Sequence, residues 1–162
     1  MAELTQLDTK IGEVIGLAQA AQGAIDKVSG LVHDTELKQQ LAQVKREAVE
    51  TEERTTQVVE NLDGKKTAIL EKARETKQEA TQMMQTYLGN DADELDGFEF
   101  LTMAEAGEVG HWQILGTMNR KARNQELQQV IEWVTPIQER HFQQALQGSV
   151  ILAADEDPNE PA

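Results

Sequence analysis

Cysteine does not occur once in the 162 residues of this sequence. Disulfides, thiolate ligands and thiol nucleophiles are therefore excluded, and a metal ion could be held only by carboxylate oxygens and imidazole nitrogens. The two serines, Ser29 and Ser149, lie outside any catalytic motif. We therefore expect no enzyme that depends on a side-chain nucleophile.

Positive charge is also scarce, because 15 Lys and Arg residues face 29 Asp and Glu residues, for a formal net charge of −14. Such a surface repels nucleic acid and anionic membranes, so neither is expected as a partner. No apolar run approaches the roughly 18 residues of a membrane span. The first residues show neither a basic region nor an apolar region typical of a leader. These features predict a cytoplasmic protein.

Proline occurs three times, twice in the last five positions, and aromatic residues make up only 4% of the chain. Ala, Gln, Glu, Lys and Leu dominate, and apolar residues recur at alternating spacings of four and three, which predicts an all-α protein. We expect five helical segments, at about 3–29, 34–62, 65–88, 96–123 and 124–148. Short connections favour an antiparallel four-helix bundle with one additional helical segment over 1–148. Residues 149–162 are predicted to be an acidic, disordered tail. The pair Met83 and Met84 is predicted to fill the core.

Acidic and imidazole side chains lie on the apolar faces of the fourth and fifth segments. Glu108 falls on the seam between Leu101 and Leu115, and His141 falls on the core stripe of the fifth segment. Antiparallel pairing about a turn near residue 122 brings the two segments together. We therefore predict a metal site of carboxylate and histidine ligands between these segments. Its candidate ligands are Glu105, Glu108, His111, Glu139 and His141, with Glu47 or Glu50 completing the coordination. Glu13 is predicted to face away from the first segment's seam.

Three stretches resemble the ferritin-like superfamily, and most closely its small bacterial stress-associated members related to rubrerythrin and bacterioferritin. They are Thr35-Glu36-Leu37-Lys38 with Glu47-x-x-Glu50-Thr51, Glu108-x-x-His111-Trp112 with Gly116-Thr117, and Pro136-Ile137-Gln138-Glu139 with Leu146. The resemblance implies a ferritin-like four-helix bundle, di-iron or di-manganese binding, a role in stress, and a homodimer. Three features depart from the pattern. The first segment lacks the expected inward carboxylate. Glu47 stands where relatives tend to carry histidine, and Glu139-x-His141 replaces a second Glu-x-x-His.

Two main functional hypotheses follow. The first is a stress-associated metal-binding bundle, whose activity, if it has one, would be that of a di-metal oxidoreductase acting as a ferroxidase or consuming peroxide. The second is a non-enzymatic, dimeric interaction module on the same scaffold with a degenerate metal site. A coiled-coil adaptor without any site is a third alternative.

Overall fold

The computed structural model describes residues 2–161, which contain five α-helices and no β-strand. The helices are α1 (Gln6–Ser29), α2 (Thr35–Glu60), α3 (Lys66–Tyr87), α4 (Glu94–Ala122) and α5 (Gln125–Ala154). The prediction of an all-α chain is confirmed. Asp34 and Asn124 cap α2 and α5 as expected, because each side chain accepts a hydrogen bond from the backbone N–H three residues further on.

Three helix boundaries and one core assignment differ from prediction. The first helix begins at Gln6 instead of near residue 3, because Thr5 and Asp8 form a reciprocal capping box there. The fourth helix begins at Glu94, because Asp93 and Asp96 form a reciprocal capping box there. The fifth helix does not end at Gly148 but continues to Ala154. The ring of Phe98 occupies the space that a Cβ atom at Gly148 would need, so this glycine permits close packing instead of ending the helix. Met83 is not in the core, since 69% of its surface is exposed.

Four of the helices form a closed ring, in which α1 packs on α2, α2 on α5, α5 on α4, and α4 on α1. Ring neighbours run antiparallel. For example, α1 and α2 are joined by Lys45 with Asp26 near one end and by Glu52 with Gln19 in the middle. The protein is therefore a helical bundle.

The remaining helix, α3, lies outside the ring against α1. Two glycines of α1 allow the two backbones to approach closely. A Cβ atom at Gly12 would lie 2.9 Å from the carbonyl oxygen of Ile69, and one at Gly16 would collide with that of Ala73. Between the described parts of α3 and α4, the rings of Tyr87 and Phe100 pack together at the end of α3, with their centroids 5.7 Å apart. This arrangement leaves a gap between α3 and α4.

The core consists of two apolar clusters at opposite ends of the bundle. One cluster is built around Ile11, Ile15, Val59, Trp112 and Leu127, and the other around Ile25, Val28, Leu41, Phe98 and Leu101. On α2, α4 and α5, buried polar side chains lie in the sequence between the two clusters. These side chains are Thr51, Thr55, Glu105, Glu108, Gln138 and His141. We call this middle section of the bundle the polar layer, and it contains the candidate site.

Candidate functional site

The closed half of the polar layer lies between α2, α4 and α5. Glu105, Gln138 and His141 are each 3% exposed, and Glu47 of α2 lies beside them. The antiparallel pairing of α4 and α5 places Glu105 beside Gln138 and His141. Three helices thus deliver two carboxylates, one amide and one imidazole to the interior.

Protein groups satisfy much of this closed half. The amide nitrogen of Gln138 donates to Glu105 Oε2, and Arg140 donates to Glu47 Oε2. The ring of His141 lies between the two carboxylates. Its Nδ1 is 3.8 Å from Glu105 Oε2, and its Nε2 is 3.6 Å from Glu47 Oε1, so neither approach is a hydrogen bond. His141 Nε2 and Glu47 Oε1 are the two fully buried side-chain atoms that lack a hydrogen-bond partner within residues 2–161.

Burial shifts the pKa values of these groups toward their neutral forms. It raises the pKa of Glu105 to about 7, against the opposing effect of the hydrogen bond from Gln138. Burial also raises the pKa of Glu108 well above its usual value, and the negative charge of Glu105 adds to the shift. For His141, burial lowers the pKa although Glu47 opposes the change. The polar layer therefore resists carrying several charges at once.

Glu108 and His111 lie on a different side of α4, toward α1. Glu108 is only 6% exposed, yet its carboxylate makes no hydrogen bond or ion pair with any residue in 2–161. The Nδ1 atom of His111 lies 2.9 Å from the carbonyl oxygen of Gly107, which can only accept, so Nδ1 carries the proton. Its Nε2 lies 3.8 Å from Glu13 Oε2, which also binds Lys10 at 2.7 Å. Glu13 was predicted to face away from the core but lies half-buried beside α4.

The last two candidate ligands lie on the surface. Glu139 is exposed on α5, and Glu50 accepts two hydrogen bonds from Arg54 one turn further along α2. The structure therefore brings Glu47, Glu105 and His141 together, puts Glu108 and His111 on another side of α4, and leaves Glu50 and Glu139 outside.

A two-metal centre does not fit this arrangement. Such a centre in a helical bundle needs a carboxylate from each of four helices and a histidine beside two of them. Within residues 2–161, no group of three or more His, Asp and Glu side chains is arranged to hold a metal ion. Arg140 also occupies Glu47 Oε2, so Glu47 has no second free oxygen with which to bridge two metal ions.

An apolar cavity opens on the other side of α4, in the gap between α3 and α4, with α1 as its floor. This α3/α4 groove encloses about 310 Å³. Small and flexible apolar side chains line most of it, while Glu108 and His111 are its ionisable groups. Its apolar lining includes Leu17, Ala20, Ala21, Ala24, Ala80, Met83, Met84, Phe100, Met103 and Ala104.

Two features of the site were missed by sequence reasoning. Gln138 could have been found, since Val134, Gln138, His141 and Ala145 follow a regular four–three–four spacing that makes the amide a core residue. The groove had a weaker signal in the exposed methionines Met83 and Met103. The groove exists because α3 packs on α1, and the periodicity of apolar residues in α3 does not show which helix it packs on.

No family model, curated protein or solved structure matches this chain. Among the helices formed by residues 2–161, none combines the length and apolar character needed to cross a membrane. The functional assignment therefore depends on the geometry of the bundle itself.

Proposed function

We propose that this protein is a non-enzymatic binding protein that holds a small apolar molecule in the α3/α4 groove. The observation that carries the proposal is a cavity of about 310 Å³ with an apolar lining and one buried, unpaired carboxylate, that of Glu108. Small-molecule sites are typically concave, mostly apolar and of about 300–1,000 Å³, with few polar groups to orient the ligand. The groove has each of these properties.

The shape of the bundle supports a ligand site over an unfilled packing defect. Gly12 and Gly16 let α3 pack closely on α1, and the groove lies on the side of α3 that faces α4. Exposed Met83 and Met103 border the opening, and methionine adapts its shape to different apolar surfaces. A small apolar molecule would bury surface that the bundle leaves in water, which is favourable.

A titration with 1-octanol followed by amide chemical shifts tests this proposal. We expect saturable shift changes near Ala21, Ala80 and Gly107, which lie on three different helices. The variant Ala80→Trp should weaken binding at least about tenfold, because the indole fills the groove, whereas Ala42→Trp on the exposed face of α2 should not. Non-saturable shifts, or equal binding by the two tryptophan variants, would contradict the proposal.

A second candidate function is the binding of one divalent metal ion by Glu47 and His141. One observation favours it: Glu47 Oε1 and His141 Nε2 are both buried and unpartnered, at a separation of 3.6 Å. Two ligand atoms at about 2.1 Å from one ion are separated by about 3.4 Å at a tetrahedral angle, so little movement is needed. Glu105, on the opposite ring nitrogen, would orient the imidazole. Water would have to complete the coordination.

Elemental analysis of the protein, before and after reconstitution with Fe(II), Mn(II) and Zn(II), tests this candidate. A ratio near one ion per chain that falls in Glu47→Gln but not in Glu50→Gln supports it. Absence of bound metal under all of these conditions overturns it. The ferritin-like resemblance, the role in stress and the homodimer remain predictions, and the mass of the protein in solution tests the last.

A further inference from the structure

The polar end of the α3/α4 groove is acidic. Glu108 lies in its wall with an unpaired carboxylate, and the buried Glu105 lies one turn away on α4. No Lys or Arg side chain lines the groove. The nearby amine of Lys10 is held at 2.7 Å by Glu13, which also faces His111. No positive group of the described chain is therefore in place to pair with Glu108.

The rest of the groove has a different character. Apart from Thr81 and His111, its remaining lining is Ala, Gly, Leu, Met and Phe, contributed by α1, α3 and α4. A ligand that fits such a surface has an apolar body that lies along these side chains and a single polar group at one end. A negatively charged ligand group would have to lie beside the buried carboxyl groups of Glu105 and Glu108, and the net charge of −14 would repel it.

We propose that the α3/α4 groove selects cationic amphiphiles, that is, molecules with an apolar body and one protonated amine, and that Glu108 binds the amine. The inference depends on the proposed function, since it assigns a ligand class to the same groove. The amine supplies the donors and the positive charge that the surrounding protein does not offer to Glu108. Charge-assisted hydrogen bonds of this kind are stronger than neutral ones, and stronger still away from water.

Paired titrations with octylamine and 1-octanol at pH 7 test the inference, because the two molecules share a chain and differ in the head group. We expect octylamine to bind about tenfold more tightly than 1-octanol, and octanoate to bind more weakly than either. In Glu108→Gln the advantage of the amine should disappear while 1-octanol binding persists. Glu139→Gln makes the same substitution on the exposed face of α5 and should preserve the advantage.

The outcomes separate the inference from the proposed function. If neither octylamine nor 1-octanol binds saturably, both are wrong. If 1-octanol binds and octylamine binds no better, or if Glu108→Gln retains the preference, the groove binds apolar molecules but Glu108 does not select amines. An amine preference reduced equally by Glu108→Gln and Glu139→Gln would indicate attraction by net charge alone and would also overturn the inference. Should Glu108→Gln not fold, Glu108→Met offers a second neutral side chain of similar size.

Discussion

Glu105 and Glu108 lie one turn apart on the same helix, and both are more than nine-tenths buried. Glu105 faces α5, where Gln138 donates to it and His141 lies beside it. Glu108 faces the α3/α4 groove and has no hydrogen-bond partner within residues 2–161. On one side of α4 a buried carboxylate has partners on α5, and on the other side a buried carboxylate faces the groove without a partner. We call these the closed side and the open side of α4.

The difference between Glu105 and Glu108 shows that the burial of a carboxylate does not by itself determine its role in the protein. A buried carboxylate with protein partners contributes to the specificity of packing, whereas one without partners costs free energy until something pairs with it. Glu105 has the environment of a structural group, and Glu108 has that of a binding group. Substitutions on the two sides of α4 should therefore change the free energy of unfolding by different amounts and in opposite directions.

The largest contrast should come from the two histidines of these regions. We expect His141→Ala to lower the free energy of unfolding by about 3 kcal/mol, because it creates a cavity and leaves Glu47 and Glu105 facing each other. His111 is partly exposed at the rim of the groove, so His111→Ala should cost less than about 1 kcal/mol. Urea unfolding of both variants measures the difference, and equal losses would contradict the division between closed and open sides.

The closed side should also show a characteristic pH dependence. The pKa of Glu105 is raised to about 7 in the folded protein, so the folded state binds a proton that the unfolded chain loses near pH 4.5. Its contribution to stability is present below about pH 4.5 and is lost as the pH rises through about 7. The lowered pKa of His141 acts in the opposite direction, since stability from that group is lost as the pH falls below its ordinary value of 6.5.

Comparison of the wild-type protein with Glu105→Gln isolates the carboxyl group from these opposing effects. The loss in free energy of unfolding caused by Glu105→Gln should be about 2 kcal/mol larger at pH 5 than at pH 8, as the shift in the pKa of Glu105 implies. Thermal and urea unfolding at both values measure the change. A difference that is absent, or of opposite sign, would show that Glu105 is not held in its neutral form.

Substitution of Glu108, on the side of α4 that faces the groove, should change the free energy of unfolding least, and the change should be an increase. We expect Glu108→Leu to raise the free energy of unfolding by about 1 kcal/mol, because it removes a desolvated carboxyl group without breaking a hydrogen bond. Glu139→Leu, which places the same side chain on the exposed face of α5, should be neutral or slightly destabilising and serves as the control. A loss of stability in Glu108→Leu would mean that the carboxylate has a structural partner after all.

Much of the fold could be predicted because local signals and the global arrangement agree. The periodicity of apolar residues defines five helices, and the side chains of Asp34 and Asn124 mark the beginning of two of them. The predicted helix end at Gly148 was wrong because the sequence does not distinguish a glycine that ends a helix from one that leaves space for a neighbouring aromatic ring. Only the packing of Phe98, which belongs to α4, against Gly148 of α5 distinguishes these two cases.

The candidate site was predictable to a smaller extent. Glu105 and His141 were brought together correctly, since both lie on seams of antiparallel neighbours. Helical spacing gives the direction of a side chain but does not give its neighbour. Glu108 and His111 therefore seemed to belong with Glu105, although they face α1 and α3. Pairing on the surface, as between Glu50 and Arg54, is likewise invisible in a count along one helix.

One wall of the groove belongs to a weakly anchored segment. Residues 74–87 of α3 include no fully buried side chain, whereas Ala68, Ile69 and Ala73 in the first half are buried against the bundle. Amide hydrogens in the second half should therefore exchange with solvent through local opening well before those of α1. A molecule that binds in the groove would slow this exchange, so the protection of residues 74–87 reports occupancy without any label on the ligand.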